Sequence, residues 1–142
     1  ATSRLFRAAF GSRRCIVPVD AFYEWQGAGT PARRPFAIAR PDRQPFGLAG
    51  LWENRRDPET GSWRRTFCVL TTRSNAVLAD VHDRMPVLIP REDAGRWLGD
   101  EDDPRDLLRA APDETLETWP VSSRVNSFRN DDPSLLDAVA AA

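Results

Sequence analysis

The sequence contains no lysine, one histidine, one methionine and no long apolar run. Because no stretch of eighteen or more apolar residues is present, the sequence predicts no membrane-spanning helix. No basic segment followed by an apolar one opens the chain, so we expect no signal peptide and a cytoplasmic location.

Cysteine is also scarce, with Cys15 and Cys68 as the only two. Each lies in an apolar, strand-like segment, which is typical of buried free thiols in a cytosolic protein; a disulfide between them is the alternative. Hydrophobic residues make up 41% of the 142 residues and include five tryptophans. This composition argues against a disordered chain and predicts one domain with a single core.

The missing lysine leaves all 20 basic residues as arginine, and they are unevenly placed. Residues 1–73 hold 13 arginines against six acidic residues, a balance of +7, whereas residues 74–142 hold seven against 15, a balance of −8. An arginine-rich half can bind phosphate through the planar, forked guanidinium group. A GC-rich genome, which favours arginine codons, explains the arginine-only usage better than it explains the segregation of charge.

The pattern of apolar residues and turn signals predicts an α+β domain. We expect a dominant, mainly antiparallel sheet or partly closed barrel with short flanking helices. Strands are expected at 15–18, 21–25, 35–39, 46–52, 66–72, 85–89 and 119–121. Helices are expected at 3–10, ended by Gly11, and in a short segment that is capped by Ser74 and runs through Leu78. Further helices are expected at 91–98 and 104–110, with a frayed helical end at 135–142. Residues 100–103 are expected to form an acidic loop.

The only histidine stands in a stretch that joins three ionisable residues, His82, Asp83 and Arg84, to the apolar run 85–89. Because an imidazole titrates near neutrality, a sole histidine is the natural candidate for proton transfer. The alternative is a histidine that caps a loop or fills a polar hole.

A second informative stretch is the predicted strand that carries Glu24. Strand alternation places Phe22 and Glu24 on one face and Tyr23 and Trp25 on the other. A carboxylate on the same face as a phenylalanine is expected to be desolvated, which favours a role in proton transfer. The alternative is a glutamate at a strand end that pairs with one of the many arginines.

The two stretches together resemble a known family. Residues 13–25, RRCIVPVDAFYEW, are similar to the signature RRCxxPxxGFYEW of the SOS response-associated peptidase (SRAP) family, with Ala21 in place of the usual glycine. Four further blocks of that family are matched in order: GLWE at 50–53, TTRSN at 71–75, HDRMP at 82–86 and PVSSRVN at 120–126. Five ordered blocks cover nearly the whole chain.

The resemblance implies a DNA-damage protein that binds single-stranded DNA and covalently traps abasic sites. In the family, the mature N-terminal cysteine reacts through its amine and thiol with the ring-opened abasic sugar to form a thiazolidine. The positions that match the family's catalytic glutamate and histidine are Glu24 and His82. No metal and no other cofactor is implied.

Three further positions match residues that meet DNA in the family. Trp25 matches an aromatic on which a base can stack, and Arg84 matches an arginine that contacts the phosphate backbone. Thr71 matches a threonine near the reacting end of the protein. The resemblance implies single-stranded DNA with abasic sites as the partner. It also implies a monomer that lies in the cytoplasm and associates with the nucleoid.

The family's terminal cysteine, and an asparagine upstream of the RRC block, would precede residue 1. The chain begins at Ala1 without a methionine, and Cys15 matches the buried cysteine of the signature. We therefore expect residues 1–142 to be the larger, C-terminal part of a single SRAP-like domain that lacks the nucleophilic segment. Two alternatives are a cysteine-type (auto)peptidase and a truncated, non-catalytic DNA-binding module.

Overall fold

The computed structural model describes residues 4–99 and 103–140. The chain divides into two compact units: the first comprises Ala1–Pro18, Phe46–Thr72 and Pro86–Ala110, and the second comprises Val19–Pro45, Arg73–Met85 and Ala111–Ala142. The expectation of a single domain stays a prediction. No helix in the described part of the chain is both long and apolar enough to cross a membrane.

Short strands dominate the described residues. The strands are β1 (Arg14–Val19), β2 (Ala21–Gln26), β3 (Arg34–Ala39), β4 (Phe46–Arg56), β5 (Trp63–Val69), β6 (Thr71–Arg73), β7 (Arg84–Pro86), β8 (Leu88–Ile89) and β9 (Glu117–Pro120). The α-helices are α1 (Arg4–Ser12), α2 (Ala76–Ala79) and α3 (Ala94–Leu98). Single 3-10 turns lie at Arg91–Asp93, Arg105–Leu107, Asp113–Thr115, Ser123–Asn126 and Pro133–Leu136.

The first unit is built on a sheet with the order β1-β4-β5, and β8 also pairs with β4. Apolar side chains from α1, the sheet and α3 form its core, and the ring of Phe10 meets that of Trp97 edge-on at 6.0 Å. The buried core residues are Ala9, Ala49, Leu51, Val87, Ile89, Trp97 and Leu107. Burial of this apolar surface is the main source of the unit's stability.

Arg14, at the start of β1, is buried and holds helix ends together in the first unit. Its guanidinium group donates to the carbonyl oxygens of Phe10 (2.7 Å), Trp97 (2.6 Å) and Gly99 (2.5 Å). The last carbonyls of a helix have no partner within the helix, so a buried arginine that meets them satisfies groups that would otherwise be costly.

The two cysteines lie on strands that flank β4, and both are free thiols. The disulfide alternative is therefore wrong, and the thiols are half-buried where full burial was predicted. Gly50 explains how Cys15 fits: a side chain at residue 50 would meet the Cys15 sulfur at 2.8 Å. The glycine of the GLWE block thus makes room for the thiol.

The second unit contains an antiparallel sheet with the order β2-β3-β9. Ala37 and Ile38 on the central strand are fully buried. Elsewhere in the chain β6 and β7 pair in a two-stranded sheet. The predicted α+β class is confirmed, although within residues 4–99 and 103–140 the sheets are not closed into a barrel.

Several predicted boundaries are wrong for identifiable reasons. The predicted strand 85–89 is two strands, because Arg84–Pro86 pairs with β6 whereas Leu88–Ile89 pairs with β4. Strand β4 continues four residues beyond Trp52, since its polar end is paired in register with β5. The predicted strand 66–72 instead divides between β5 and β6.

Three helix predictions differ from the structure. Gly11 does not stop α1, which ends at Ser12, and residue 3 lies outside the described residues. The predicted helices at 104–110 and 135–142 are 3-10 turns at Arg105–Leu107 and Pro133–Leu136. The second turn ends early because Ala138 pairs with Val121. Residues 100–102 of the predicted acidic loop are outside the described residues.

Candidate functional site

Strand β2 presents Glu24 and Trp25 on opposite faces, as strand alternation requires. Both residues are partly exposed, and in the register with β3 they lie opposite Phe36 and Pro35. Tyr23 shares the face of Trp25, and partial burial raises the pKa of its phenol above the ordinary value.

The indole of Trp25 is oriented by a hydrogen bond from a distant part of the second unit. Its Nε1–H donates to Oδ1 of Asn126 at 2.7 Å. Asn126 ends the 3-10 turn Ser123–Asn126, and Nδ2 of Asn130 donates to the Arg124 carbonyl of that turn at 2.7 Å. The hydrogen bond to Asn126 therefore fixes the orientation of the indole ring, which is partly exposed.

His82 lies in the turn that follows α2. The N–H groups of Val81 and His82 both donate to the Leu78 carbonyl at 2.9 Å, so the end of the helix sets the backbone of the histidine. The Nδ1 atom lies 3.1 Å from the backbone nitrogen of Arg84 and 3.0 Å from its carbonyl oxygen. The tautomer of the ring decides which of these two contacts is a hydrogen bond. A carboxylate oxygen of Asp83 is 3.4 Å from Nδ1.

These contacts of the His82 ring all fall on Nδ1. The side chain is 34% exposed, and Nε2 meets no hydrogen-bond partner among the described residues. One ring nitrogen is therefore held while the other is open to solvent and to a ligand. This division is the usual arrangement of a histidine that transfers protons.

The cap of α2 is Asn75, and the prediction of Ser74 as the cap is wrong. The Asn75 Oδ1 atom accepts from the Leu78 N–H at 3.1 Å, and its Nδ2 donates to the Ala111 carbonyl at 3.1 Å. The hydroxyl of Ser74 is buried without a hydrogen-bond partner in the described structure. An amide side chain can accept and donate at once, so Asn75 satisfies both the helix and the neighbouring 111–112 segment.

A hydrogen bond connects β2 with the segment that carries His82. Nε2 of Gln26 donates to the Asp80 carbonyl at 2.7 Å. Gln26 stands on the same strand face as Glu24, two residues further along, and Asp80 precedes His82 by two residues. This contact supports the prediction that Glu24 and His82 share one cleft, which stays a prediction.

The other two predicted site residues are at the surface. Arg84, the first residue of β7, is exposed and belongs to the second unit together with Glu24, Trp25 and His82. Thr71, the first residue of β6, is also exposed but belongs to the first unit. The structure thus assigns four of the five residues to one compact unit.

Sequence reasoning missed two residues that support the site. Asn126 was inside a matched block, PVSSRVN, but had no role assigned to it. Gln26 lies just beyond the strand predicted at 21–25, whereas β2 includes it and the alternation of the strand puts it on the face of Glu24. Within residues 4–99 and 103–140, no group of three or more His, Cys, Asp or Glu is arranged to hold a metal ion.

Comparison with known proteins identifies the class of protein. The family described as SOS response associated peptidase (SRAP) matches residues 1–128. The chain therefore belongs to the SRAP family, as its motifs indicated.

Individual relatives agree with this assignment. The chain is 36% identical over 137 residues to the abasic site processing protein YoqW of Bacillus subtilis, covering 94% of this chain and 61% of the relative. It is 32% identical over 165 residues to the abasic site processing protein HMCES of Pongo abelii, covering 96% of this chain and 47% of the relative. The chain thus spans about half to three-fifths of the length of these two relatives.

The fold is also similar to a solved structure. A crystal structure of a protein from Bacteroides thetaiotaomicron superposes with a TM-score of 0.86 and 25% sequence identity. The match covers 98% of this chain and 62% of the other.

Proposed function

We propose that the complete protein containing this chain recognises abasic sites in single-stranded DNA and traps them covalently through an N-terminal cysteine. The observation that carries the proposal is the similarity to relatives named abasic site processing proteins over more than nine-tenths of this chain. The residues of the second unit supply groups suited to each step.

The trapping reaction needs two bonds to C1′ of the ring-opened sugar. The terminal amine attacks the aldehyde carbon and water leaves, which gives an imine. The thiol then adds to the imine carbon, its proton passes to the nitrogen, and a thiazolidine ring closes. No oxidant or reductant is required.

His82 and Glu24 would move the protons of this sequence. The open Nε2 of His82 can protonate the ring oxygen as the sugar opens. The partly exposed carboxylate of Glu24 can take a proton from the attacking amine and return it to the departing water.

DNA would be held by residues beside this pair. A base can stack on the ring of Trp25, whose orientation Asn126 holds. Arg84 would contact a backbone phosphate, and Thr71 would lie near the reacting terminus. A protein that binds DNA in this way is expected at the nucleoid, as a monomer.

Cys15 is poorly suited to be the nucleophile. Burial, and secondarily the nearby Cys68, raise the pKa of the Cys15 thiol above its ordinary value. A thiol that stays protonated is a weak nucleophile, and Cys15 offers no α-amine for ring closure. We therefore assign the reacting cysteine to a segment that would precede Ala1.

A denaturing gel tests the proposal. The complete protein, with its terminal cysteine exposed, is mixed with a single-stranded oligonucleotide that contains one abasic site, and a heat-stable shifted band is expected. The matched controls are the same protein with the terminal cysteine changed to alanine, and residues 1–142 alone; neither should give a band. A band from residues 1–142 alone would show that another nucleophile acts. No band from the complete protein would refute the proposal and favour the peptidase alternative.

A further inference from the structure

The β4–β5 hairpin carries an exposed face that the proposed site does not use. Residues 53–56 of β4 and 63–67 of β5 are exposed, unlike the buried start of β4. In the register of the hairpin, paired residues project from the same side. The side defined here as the hairpin aromatic face carries the cross-strand pairs Trp52–Phe67, Asn54–Arg65 and Arg56–Trp63.

Large rings on this face are open to solvent. Trp63 is 71% exposed and Phe67 is 62% exposed. The Arg65 guanidinium lies over the ring of Trp52, 4.6 Å from its centre, and its Nε donates to Asn54 Oδ1 at 3.2 Å. Exposed aromatic side chains that lie together are typical of an interaction site for a ligand or another macromolecule.

The charge of the face selects the partner. Two arginines, Arg56 and Arg65, project from it, and none of its six strand residues is acidic. Two nearby carboxylates form ion pairs: Glu53 with Arg13 at 2.5 Å and Asp57 with Arg64 at 3.1 Å. A third, Glu59, lies in the turn that joins β4 to β5. The face therefore offers cations to a polyanion.

We propose that the hairpin aromatic face binds single-stranded nucleic acid, in addition to the residues of the second unit. This inference extends the proposed function and rests on it for the choice of nucleic acid as the ligand. On β5 the order is aromatic, arginine, aromatic at Trp63, Arg65 and Phe67, with about 7 Å between successive members. Bases stack on such rings whatever their sequence, and arginine binds the phosphates between them.

A protein partner fits the face less well. Tryptophan, phenylalanine and arginine are also enriched at protein interfaces, but this face carries two arginines and no acidic strand residue, which favours a polyanion as its partner. The proposal therefore commits to nucleic acid, and a second copy of this chain is an outcome that the test can reveal.

Two neighbouring arginines provide a matched test. Arg64 and Arg65 are adjacent and exposed but project from opposite sides of β5. Binding of the complete protein to an undamaged, fluorescently labelled oligo-dT is measured by anisotropy across a salt series. We expect Arg65→Gln to weaken binding and to reduce the slope of log K against log salt by about 0.7. Arg64→Gln removes the same charge and should leave both quantities near wild type.

The aromatic contribution is tested with Trp63→Ala and, independently, Phe67→Ala. Loss of one stacked base should weaken binding about fivefold or more. Both side chains are exposed, so the thermal transition of each variant should stay close to wild type. Unchanged affinity in both variants would overturn the proposal, as would equal effects of Arg64→Gln and Arg65→Gln.

Two further measurements distinguish nucleic-acid binding by this face from self-association and from the covalent function. If sedimentation shows that Trp63→Ala dissociates an oligomer while DNA affinity is unchanged, the face is an interface between copies and the proposal is wrong. Adduct formation with abasic DNA is scored separately. If no adduct forms, the covalent function is refuted. If Arg65→Gln still weakens DNA binding while Arg64→Gln does not, the hairpin aromatic face remains supported as a nucleic-acid site.

Discussion

Replacing Asn75 by alanine is expected to destabilise the protein and to disturb the segment that carries His82. Asn75 is only 9% exposed, and its two side-chain groups have different partners. Oδ1 caps α2 through the Leu78 N–H, and Nδ2 donates to the Ala111 carbonyl. Since the other end of this short helix sets the backbone of His82, loss of the cap reaches the site.

The magnitude follows from these two partners. Loss of a helix cap costs about 1 kcal/mol of the free energy of unfolding. The carbonyl of Ala111, which is partly buried, would lose its donor, and an unpaired carbonyl costs about 1–3 kcal/mol. The expected loss is therefore about 2–4 kcal/mol. With about 2.1 cal/mol/K of unfolding entropy per residue and 142 residues, this corresponds to a fall in Tm of about 7–13 °C.

Chemical and thermal unfolding, followed by circular dichroism, measure the effect. Ser74→Ala is the matched control at the neighbouring position, because the buried Ser74 hydroxyl has no partner in the described structure. Its removal should leave stability unchanged or slightly raised. Asn75→Asp keeps the cap acceptor but has no donor for Ala111, so it separates the two contributions.

Either of two results would refute this reasoning. If Ser74→Ala destabilises the protein as much as Asn75→Ala, the serine is the cap in solution. If Asn75→Ala costs no more than the loss of a cap, about 1 kcal/mol, the bond to Ala111 contributes nothing.

Three further predictions concern the chemistry of the site. Glu24→Gln and His82→Gln should each slow adduct formation or its reversal by about 10²–10⁴-fold while binding of intact DNA is kept; wild-type rates in a gel time course would contradict this. Arg84→Glu should weaken single-stranded DNA binding on any sequence and flatten its salt dependence, since a phosphate contact is lost; an unchanged isotherm across a salt series would remove Arg84 from the site. Because its pKa is raised, the Cys15 thiolate should form only at more alkaline pH than an ordinary thiolate, so mass spectrometry should find slow alkylation of Cys15 at pH 7–8 and a rise above pH 9. Alkylation as fast as that of free cysteine would contradict the last prediction, and Cys15→Ser should leave adduct formation unchanged.

The sequence was sufficient where a feature depends on neighbouring residues. The family could be recognised from local motifs, because Glu24 and His82 each stand in a dense block of characteristic residues. The strand β2 and the opposite faces of Glu24 and Trp25 followed from an alternation with a period of two residues. The α+β class followed in the same way from the succession of short apolar segments and turns.

Tertiary structure decided the features that depend on residues far apart in the chain. Asn75 and not Ser74 caps α2, and one of its partners, Ala111, is 36 residues away. The indole N–H of Trp25 is oriented by its acceptor, Oδ1 of Asn126, which lies 101 residues further on. The hairpin aromatic face exists because the register of two strands places Phe67 beside Trp52. Such contacts depend on register and on how segments pack together, and neither is determined by the local preferences that a sequence pattern records.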